Sequence, residues 1–383
     1  MSNDFIVFGS PVIGEEEIEA VTATLRTCWL GTGPRTKEFE EKIAQYTGAK
    51  YAIAVSSCTA ALHLSLAAHG IGPGDEVITT PMTFAATANS VVHTGATPVF
   101  VDCERDSLNI DPTKVEAAIT ERTKALLPVH FAGRAAAMDE LLAIAAKHDI
   151  VVIEDAAHAL ETRYKGKTIG QLGGLTSCLS FYVTKNITTA EGGMLLTNDE
   201  ELARKARVLS LHGLSADAWS RYSNEAPKHY EVVVPGYKYN LTDIASSIGL
   251  VQLGHVEDWL VRRNQLWARY DEAFAGLPVI TPAPVEADTR HARHLYTLLV
   301  TDEAPVDRDG FRNGLHEEGV GTGIHYAPLH RHPYYRDRFD YSDEQFPHAA
   351  FIGSRTLSLP LSPKVTDAQA DRVIAAVRKV AGA

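Results

Sequence analysis

Five short, nearly continuous apolar runs lie in the first half of the chain: Ala52-Ile53-Ala54-Val55, Glu76-Val77-Ile78-Thr79, Pro98-Val99-Phe100-Val101, Ala125-Leu126-Leu127-Pro128-Val129 and Ile150-Val151-Val152-Ile153. Strands that are apolar throughout have no face left for water. The segments between them, 60–68, 85–93, 115–119 and 138–148, carry helical spacing instead. Such alternation predicts an α/β fold with a mostly parallel sheet covered by helices on both faces. Ligands of these sheets gather at the carboxyl ends of the strands, so the turns after the runs are where chemistry is expected.

The texture changes near residue 250. A long helical stretch over 244–274 leads to Pro278, Pro282 and Pro284, then to a strand-like 295–300 and helical 309–318 and 367–380. With 383 residues available, we expect a large domain over 1–250, including an N-terminal segment, and a smaller α+β domain over 251–383. The net charge of -12 argues against a nucleic-acid surface, which needs a basic stripe. No apolar stretch reaches the roughly 20 residues that span a bilayer. Cys28, Cys58, Cys103 and Cys178 are widely spaced and form no C-x-x-C, which disfavours a zinc site or disulfide framework and fits a reducing compartment, the cytoplasm.

One segment is chemically loaded: Ser180-Phe181-Tyr182-Val183-Thr184-Lys185-Asn186-Ile187-Thr188-Thr189-Ala190-Glu191-Gly192-Gly193. A lone lysine is ordinarily a solvated surface charge. Lys185, however, follows an apolar run (Leu179, Phe181, Val183) and precedes Gly-Gly and a second run, Met194-Leu195-Leu196. An amine held between two strands is partly desolvated, which lowers its pKa and frees it to attack an aldehyde. The chemistry that uses such an amine is a Schiff base to pyridoxal phosphate.

Two further motifs acquire meaning beside it. Val55-Ser56-Ser57-Cys58-Thr59-Ala60-Ala61-Leu62 runs from a strand through a small-residue turn into a helix. It reads equally as an ordinary Ser/Thr cap or as a phosphate site on unsatisfied helix amides. In Ile150-Val151-Val152-Ile153-Glu154-Asp155-Ala156-Ala157-His158, Asp155 ends a buried strand. It is either a turn-capping carboxylate or the partner of a protonated pyridine nitrogen, which lets the ring absorb a carbanion's electrons. Other signals are weak. Gly31-Thr32-Gly33-Pro34 is not a dinucleotide fingerprint, Gly166-Lys167-Thr168 lacks the earlier P-loop glycine, and no G-x-S-x-G is present. His330-x-His332 and His291-x-x-His294 sit in no acidic or cysteine-rich cluster, so no metal is expected.

Together, strand–Ser-Ser-x-Thr-Ala–helix, Glu-Asp-Ala-Ala-His-Ala and Ser-Phe-x-x-x-Lys-x-Ile-Thr-x-Ala-Glu-Gly-Gly resemble the fold-type-I, pyridoxal-phosphate-dependent sugar aminotransferases of the DegT/DnrJ/EryC1/StrS family. The likeness spans nearly the whole chain, including Trp29-Leu30-Gly31-Thr32-Gly33-Pro34 and Gly321-Thr322-Gly323-Ile324-His325-Tyr326. Within the family, His212-Gly213-Leu214, Asp217-Ala218-Trp219 and Pro235-Gly236-Tyr237-Lys238-Tyr239-Asn240-Leu241 look closest to enzymes aminating a UDP-4-keto-pentose, toward 4-amino-4-deoxy-L-arabinose. The lysine segment and His325-Tyr326-x-Pro328 also resemble pseudaminic-acid 4-aminotransferases.

The resemblance implies residue roles. Lys185 attaches the cofactor and Asp155 pairs with its ring nitrogen. Thr59, Ala60 and Ser180 hold the phosphate, Phe84 stacks on the ring, and His158 lies near it. Many relatives carry Gly-x-Asn-x-Arg where this chain has Gly236-Tyr237-Lys238-Tyr239-Asn240, a segment that reaches the phosphate across a dimer interface. Lys238 or Asn240 therefore takes that contact here. Phe8, the segment Cys28, Trp29, Leu30 and Gly31, Cys58, and His325, Tyr326, Ala327 and Pro328 are placed around the sugar nucleotide.

The expected reaction moves an amino group from an amino acid, L-glutamate, through pyridoxamine phosphate to a keto-sugar nucleotide, in a homodimer with shared sites. A carbocyclic ketone acceptor stays open. A sugar dehydratase of the same fold is disfavoured because those replace the lysine with histidine. A non-catalytic cofactor-binding regulator ordinarily adds a basic DNA-binding module, and nothing here is left over to form one.

Overall fold

The computed structural model describes residues 5–215 and 230–383. The Asp217-Ala218-Trp219 wording lies outside the described residues. The apolar runs become strands β1 (Tyr51–Val55), β2 (Glu76–Thr79), β3 (Thr97–Phe100), β4 (Thr123–Leu127) and β5 (Val151–Asp155). A small hairpin, β6 (Arg163–Tyr164) and β7 (Lys167–Thr168), precedes β8 (Thr176–Ser180) and β9 (Gly193–Thr197). Seven of them form one sheet in the order β1-β9-β8-β5-β4-β2-β3. Only β9 opposes the rest, lying antiparallel to both β1 and β8. The carboxyl ends of the other six therefore share one edge.

Alternation along each strand shows why the runs are apolar throughout. Ala52, Ala54, Ile78, Leu126, Val152, Met194 and Leu196 join one core. Ile53, Val55, Val77, Ala125, Leu127, Ile153 and Leu195 join another on the opposite face. Helices cover both: α1 (Glu15–Arg26), α2 (Pro34–Thr47), α3 (Cys58–Ala68), α4 (Ala85–His93), α5 (Pro112–Val115), α6 (Met138–His148) and α7 (Glu200–Ser210). The helix expected over 115–119 starts earlier and is one turn long. Pro112 sets its first position and the Asp111 side chain accepts from Thr113 N at 3.0 Å. A 3-10 turn over Glu116–Ala118 follows, and Ile119 is already extended.

Helix α8 (Asp243–Phe274) is 32 residues long, roughly 48 Å at 1.5 Å per residue. Its first part packs on α1 and α2. Its last part contributes Leu266, Trp267, Tyr270 and Phe274 to a separate core. That core is completed by β10 (Val279–Ile280), β11 (Tyr296–Val300), α9 (Arg308–Glu317), β12 (Thr356–Leu359) and α12 (Asp367–Val380), while α10 (Pro333–Phe339) and α11 (Pro347–Arg355) join a further cluster with Phe100, Phe131 and Leu299. The position expected to divide two domains falls inside α8. The N-terminal segment also joins the second core, through Ile6 and its bridge to Val320. Among the described residues, no helix is long and apolar enough to cross a membrane.

Gly193, at the start of β9, lets the sheet touch the turn before α3. A Cβ there would lie 2.4 Å from the Ser57 carbonyl carbon and 2.6 Å from Cys58 N. Gly193→Ala is expected to push that turn off the sheet and cost about 1–3 kcal/mol, read as a lower urea midpoint with an unchanged slope.

Candidate active site

Three turns converge at the shared strand edge. After β1, Ser57 caps α3 by accepting from Ala60 N at 3.1 Å. Ala60 is buried and its amide is thereby committed, so Cys58 and Thr59 are the first-turn amides left for an anion. After β5, Asp155 is 5% exposed. Its Oδ2 accepts from Thr87 Oγ1 at 2.7 Å and its Oδ1 from Ala157 N at 3.1 Å. Among the described residues, no cationic side chain lies within ion-pair distance of it. Burial pushes its pKa up, while Thr87, Ala157 and then Lys185 oppose the shift. Between β8 and β9, a non-regular stretch carries Lys185, whose amide donates to Tyr182 O at 2.9 Å. Desolvation lowers the Lys185 pKa from 10.5 to about 8, against the pull of Cys58 and Asp155.

These groups surround a cavity of about 570 Å³, lined by Cys58, Thr59, Phe84, Asp155, His158, Ser180, Lys185, His325 and Tyr326 among others. A buried carboxylate lacking a counter-cation, an amine and a helix N-terminus match the ring nitrogen, aldehyde and phosphate of pyridoxal phosphate. The residues fit that cofactor on donor chemistry alone.

The histidines are held neutral. His158 Nδ1 accepts from Ala132 N at 3.2 Å, which leaves its Nε2 proton for Tyr326 Oη at 3.1 Å. The Tyr326 hydroxyl is then free to donate into the cavity. Burial, followed by Lys185, holds His158 and His294 well below the usual imidazole range and His325 at about 4. His325 Nδ1 also meets Ser358 Oγ at 2.9 Å.

Other expected residues lie elsewhere. Phe8 lines a smaller adjoining cavity and packs 5.3 Å from the His325 ring. Ala327 is exposed and Pro328 is buried beside Gly353, and neither lines the cavity. Cys28, Trp29, Leu30 and Gly31 connect α1 to α2, and Gly31 O accepts from Asp243 N at 2.9 Å. Lys238 Nζ donates to Asn240 Oδ1 at 2.5 Å, and Asn240 Nδ2 donates to Thr32 Oγ1 at 2.7 Å. Those two segments thus form one patch outside this chain's own cavity. The patch meets the end of β1 and the phosphate turn through Ser56 N donating to Tyr239 O at 2.6 Å and through a bridge between Val55 and Asn240.

Four further residues belong to the site. Thr87 supports Asp155. Asn186 Nδ2 donates to Glu161 Oε2 at 2.6 Å, its Oδ1 accepts from His294 Nδ1 at 2.8 Å, and Arg263 pairs with Glu161. Asn186 follows Lys185 directly and Glu161 lies one turn after His158, but Arg263 is brought in from α8 with no local signal. The His294 ring, tilted against that of His158, lies 4.3 Å from it. Among the described residues, no group of three His, Cys, Asp or Glu is gathered that could hold a metal ion.

Comparison with known proteins agrees with this geometry. Residues 11–378 match the model of the DegT/DnrJ/EryC1/StrS aminotransferase family. The chain is 51% identical over 380 residues to the spore coat polysaccharide biosynthesis protein SpsC of Bacillus subtilis, covering 99% of this chain and 97% of that one. Among solved structures, it matches the putative sugar aminotransferase Spr1654 of Streptococcus pneumoniae in its PMP form. That match has a TM-score of 0.93 and 36% identity, over 98% of this chain and 99% of that one. It also matches PseC of Helicobacter pylori, an aminotransferase involved in the biosynthesis of pseudoaminic acid, with a TM-score of 0.91 and 29% identity over 99% of each chain.

With Lys185 poised at a pKa of about 8, capture of pyridoxal phosphate by the cofactor-free protein should accelerate with pH and level off just above that value. Stopped-flow absorbance measures it. A rate still climbing toward pH 10 would mean that the amine is not desolvated.

Proposed function

Because this chain belongs to the DegT/DnrJ/EryC1/StrS aminotransferase family, we propose that it transfers the amino group of an amino acid, L-glutamate, to the 4-keto group of a UDP-sugar. The observation that carries the reading is Lys185 beside the uncompensated Asp155 in a cavity large enough for a sugar. Relatives named as a sugar aminotransferase and as a polysaccharide biosynthesis protein support a sugar acceptor.

Pyridoxal phosphate, when bound there, takes up and returns the amino group and spreads the negative charge that develops at the donor's α-carbon. Asp155 keeps the ring nitrogen protonated; its carboxylate is oriented by Thr87 and Ala157. Lys185 would hold the cofactor at its aldehyde carbon, and its free amine would carry the proton from the donor's α-carbon to that carbon, which a pKa near 8 allows at neutral pH. Thr59, Ser180 and the α3 amides hold the phosphate, with Ala60 behind them. Phe84, exposed at the cavity mouth, would stack on the ring, and His158 would lie near it. Tyr326 donates to a sugar oxygen, and Phe8, Cys58 and His325 shape the sugar site.

A homodimer accounts for the remote patch. Leu30, Val232, Val233 and Val234 are exposed apolar side chains near Lys238 and Asn240. A second copy that covers them brings Lys238, Asn240 and the segment 28–31 to its neighbour's cavity. All four cysteines are free and three are buried, which supports a reducing compartment, the cytoplasm.

Lys185→Ala should abolish amino transfer while leaving the fold and phosphate affinity intact; turnover by that variant would refute the assignment. The acceptor is identified by mixing the pyridoxamine-phosphate form with UDP-4-keto sugars and with cyclic ketones. Return of the aldehyde-form absorbance only with the cyclic ketones would replace the sugar reading. For the dimer, Lys238→Ala should weaken cofactor binding about 10-fold, and mixing it with Lys185→Ala should restore a fraction of fully wild-type sites.

A further inference from the structure

Tyr326 carries a hydroxyl whose proton has been left one direction. Ala132 N donates to His158 Nδ1 at 3.2 Å, so that nitrogen is an acceptor and the neutral ring holds its proton on Nε2. His158 Nε2 lies 3.1 Å from Tyr326 Oη and donates to it. The phenol proton cannot turn back toward a nitrogen that already bears one. Phe84, Phe131 and His325 flank the phenol at centroid distances of 6.1, 6.1 and 5.0 Å, which keeps it in place. Tyr326 lines both the larger and the smaller cavity, and so does Lys185. Tyr182 and Thr184 also bring hydroxyls to the cavity walls, but no hydrogen bond among the described residues orients theirs.

When an amino group joins a keto carbon, the carbonyl oxygen takes up two protons and leaves as water. The nitrogen gives up the same two, so the step balances without an outside acid, but a carrier must move them between the atoms. Such a carrier needs a proton to give and a lone pair to receive one. Tyr326 Oη has both, because His158 occupies only one of its two lone pairs. Burial, followed by the nearby Asp155 charge, pushes the phenol's pKa up and disfavours tyrosinate. Giving and taking therefore occur together, and the phenol stays neutral.

We propose that Tyr326 is a catalytic residue that carries protons from the incoming nitrogen to the departing keto oxygen of the acceptor, with His158 as its positioning residue. The nitrogen lone pair forms the C–N bond as the C=O π electrons move onto oxygen; Tyr326 hands that oxygen its proton and takes one from the nitrogen. In a second pass the nitrogen closes a double bond to the carbon, the C–O bond breaks and water leaves. The proposal rests on the reading that the acceptor is a ketone, and adds to it the group that handles the oxygen.

The test uses Lys185→Ala protein loaded with pyridoxamine phosphate, in which the proton on carbon cannot move and condensation alone is read. Its Tyr326→Phe derivative keeps the ring and removes the hydroxyl. Loss of the keto-carbon NMR signal of a UDP-4-keto sugar is followed at rising concentration. In the derivative the saturating rate should fall about 100-fold, with half-saturation near that of the parent. An unchanged saturating rate overturns the proposal, and a rise in half-saturation alone makes Tyr326 a binding group only. In the cofactor-free protein, nitrogen NMR of labelled histidine should place the His158 proton on Nε2 and shift that nitrogen in Tyr326→Phe; a proton on Nδ1 removes the relay's direction and overturns it. Replacing Tyr326 with a ring-fluorinated, more acidic tyrosine covers the case in which phenylalanine disturbs the fold. Condensation should then slow as pH rises through that phenol's ionisation, since the anion has no proton to give, and a pH-independent rate counts against the relay. If only cyclic ketones condense with the parent, the sugar reading fails by itself, and the Tyr326 comparison is made with the ketone that reacts. Condensation with neither class sinks both.

Discussion

The structure is organised around a buried carboxylate that its own chain does not neutralise. Asp155 ends a strand enclosed on both sheet faces and has two hydrogen bonds but no cation within reach among the described residues. Desolvation alone would drive it toward the neutral acid. A cationic ligand on it restores the balance, and the protonated ring of pyridoxal phosphate is such a ligand. The same desolvation acts in the opposite sense on Lys185, turning an ammonium into an available amine. One low-dielectric region thus favours a charged ring on one side and an uncharged nucleophile on the other.

The neutral histidines follow from that arrangement. His158, His294 and His325 surround Lys185, and three imidazolium ions beside an amine would repel one another strongly. Held neutral, two of them have tautomers fixed by their partners. His158 accepts from the Ala132 amide and donates to Tyr326, while His294 donates to Asn186. The imidazoles are left as neutral hydrogen-bonding groups. The division of labour depends on burial more than on the residue types.

Much of the site was legible in the chain because its anchors are local. Thr59, Asp155, Ser180 and Lys185 each lie within a few residues of a strand end, and strand ends are readable from apolar periodicity. Ala60 was legible as part of a helix start, but its amide turned out to be committed to the Ser57 cap, a choice that backbone geometry makes. Cys28 to Gly31 and Lys238 to Asn240 were grouped with the site by resemblance, whereas within one chain they form a separate hydrogen-bonded patch. The proposed link of these residues to the chemistry runs through a second copy, and no single-chain pattern encodes that.

The sequence by itself determined the alternating α/β plan and the places of the buried amine and of the carboxylate that lines the same cavity. Those features rest on short-range causes: apolar period, caps and turns. Only the tertiary structure decided that α8 would carry Arg263 to Glu161, about a hundred residues away in sequence, and so build a second small cavity against Lys185. It also decided which amides remain free at α3 and which histidine nitrogen holds a proton. These outcomes depend on long-range packing and on which polar groups are cut off from water, and a linear pattern of residue types contains neither.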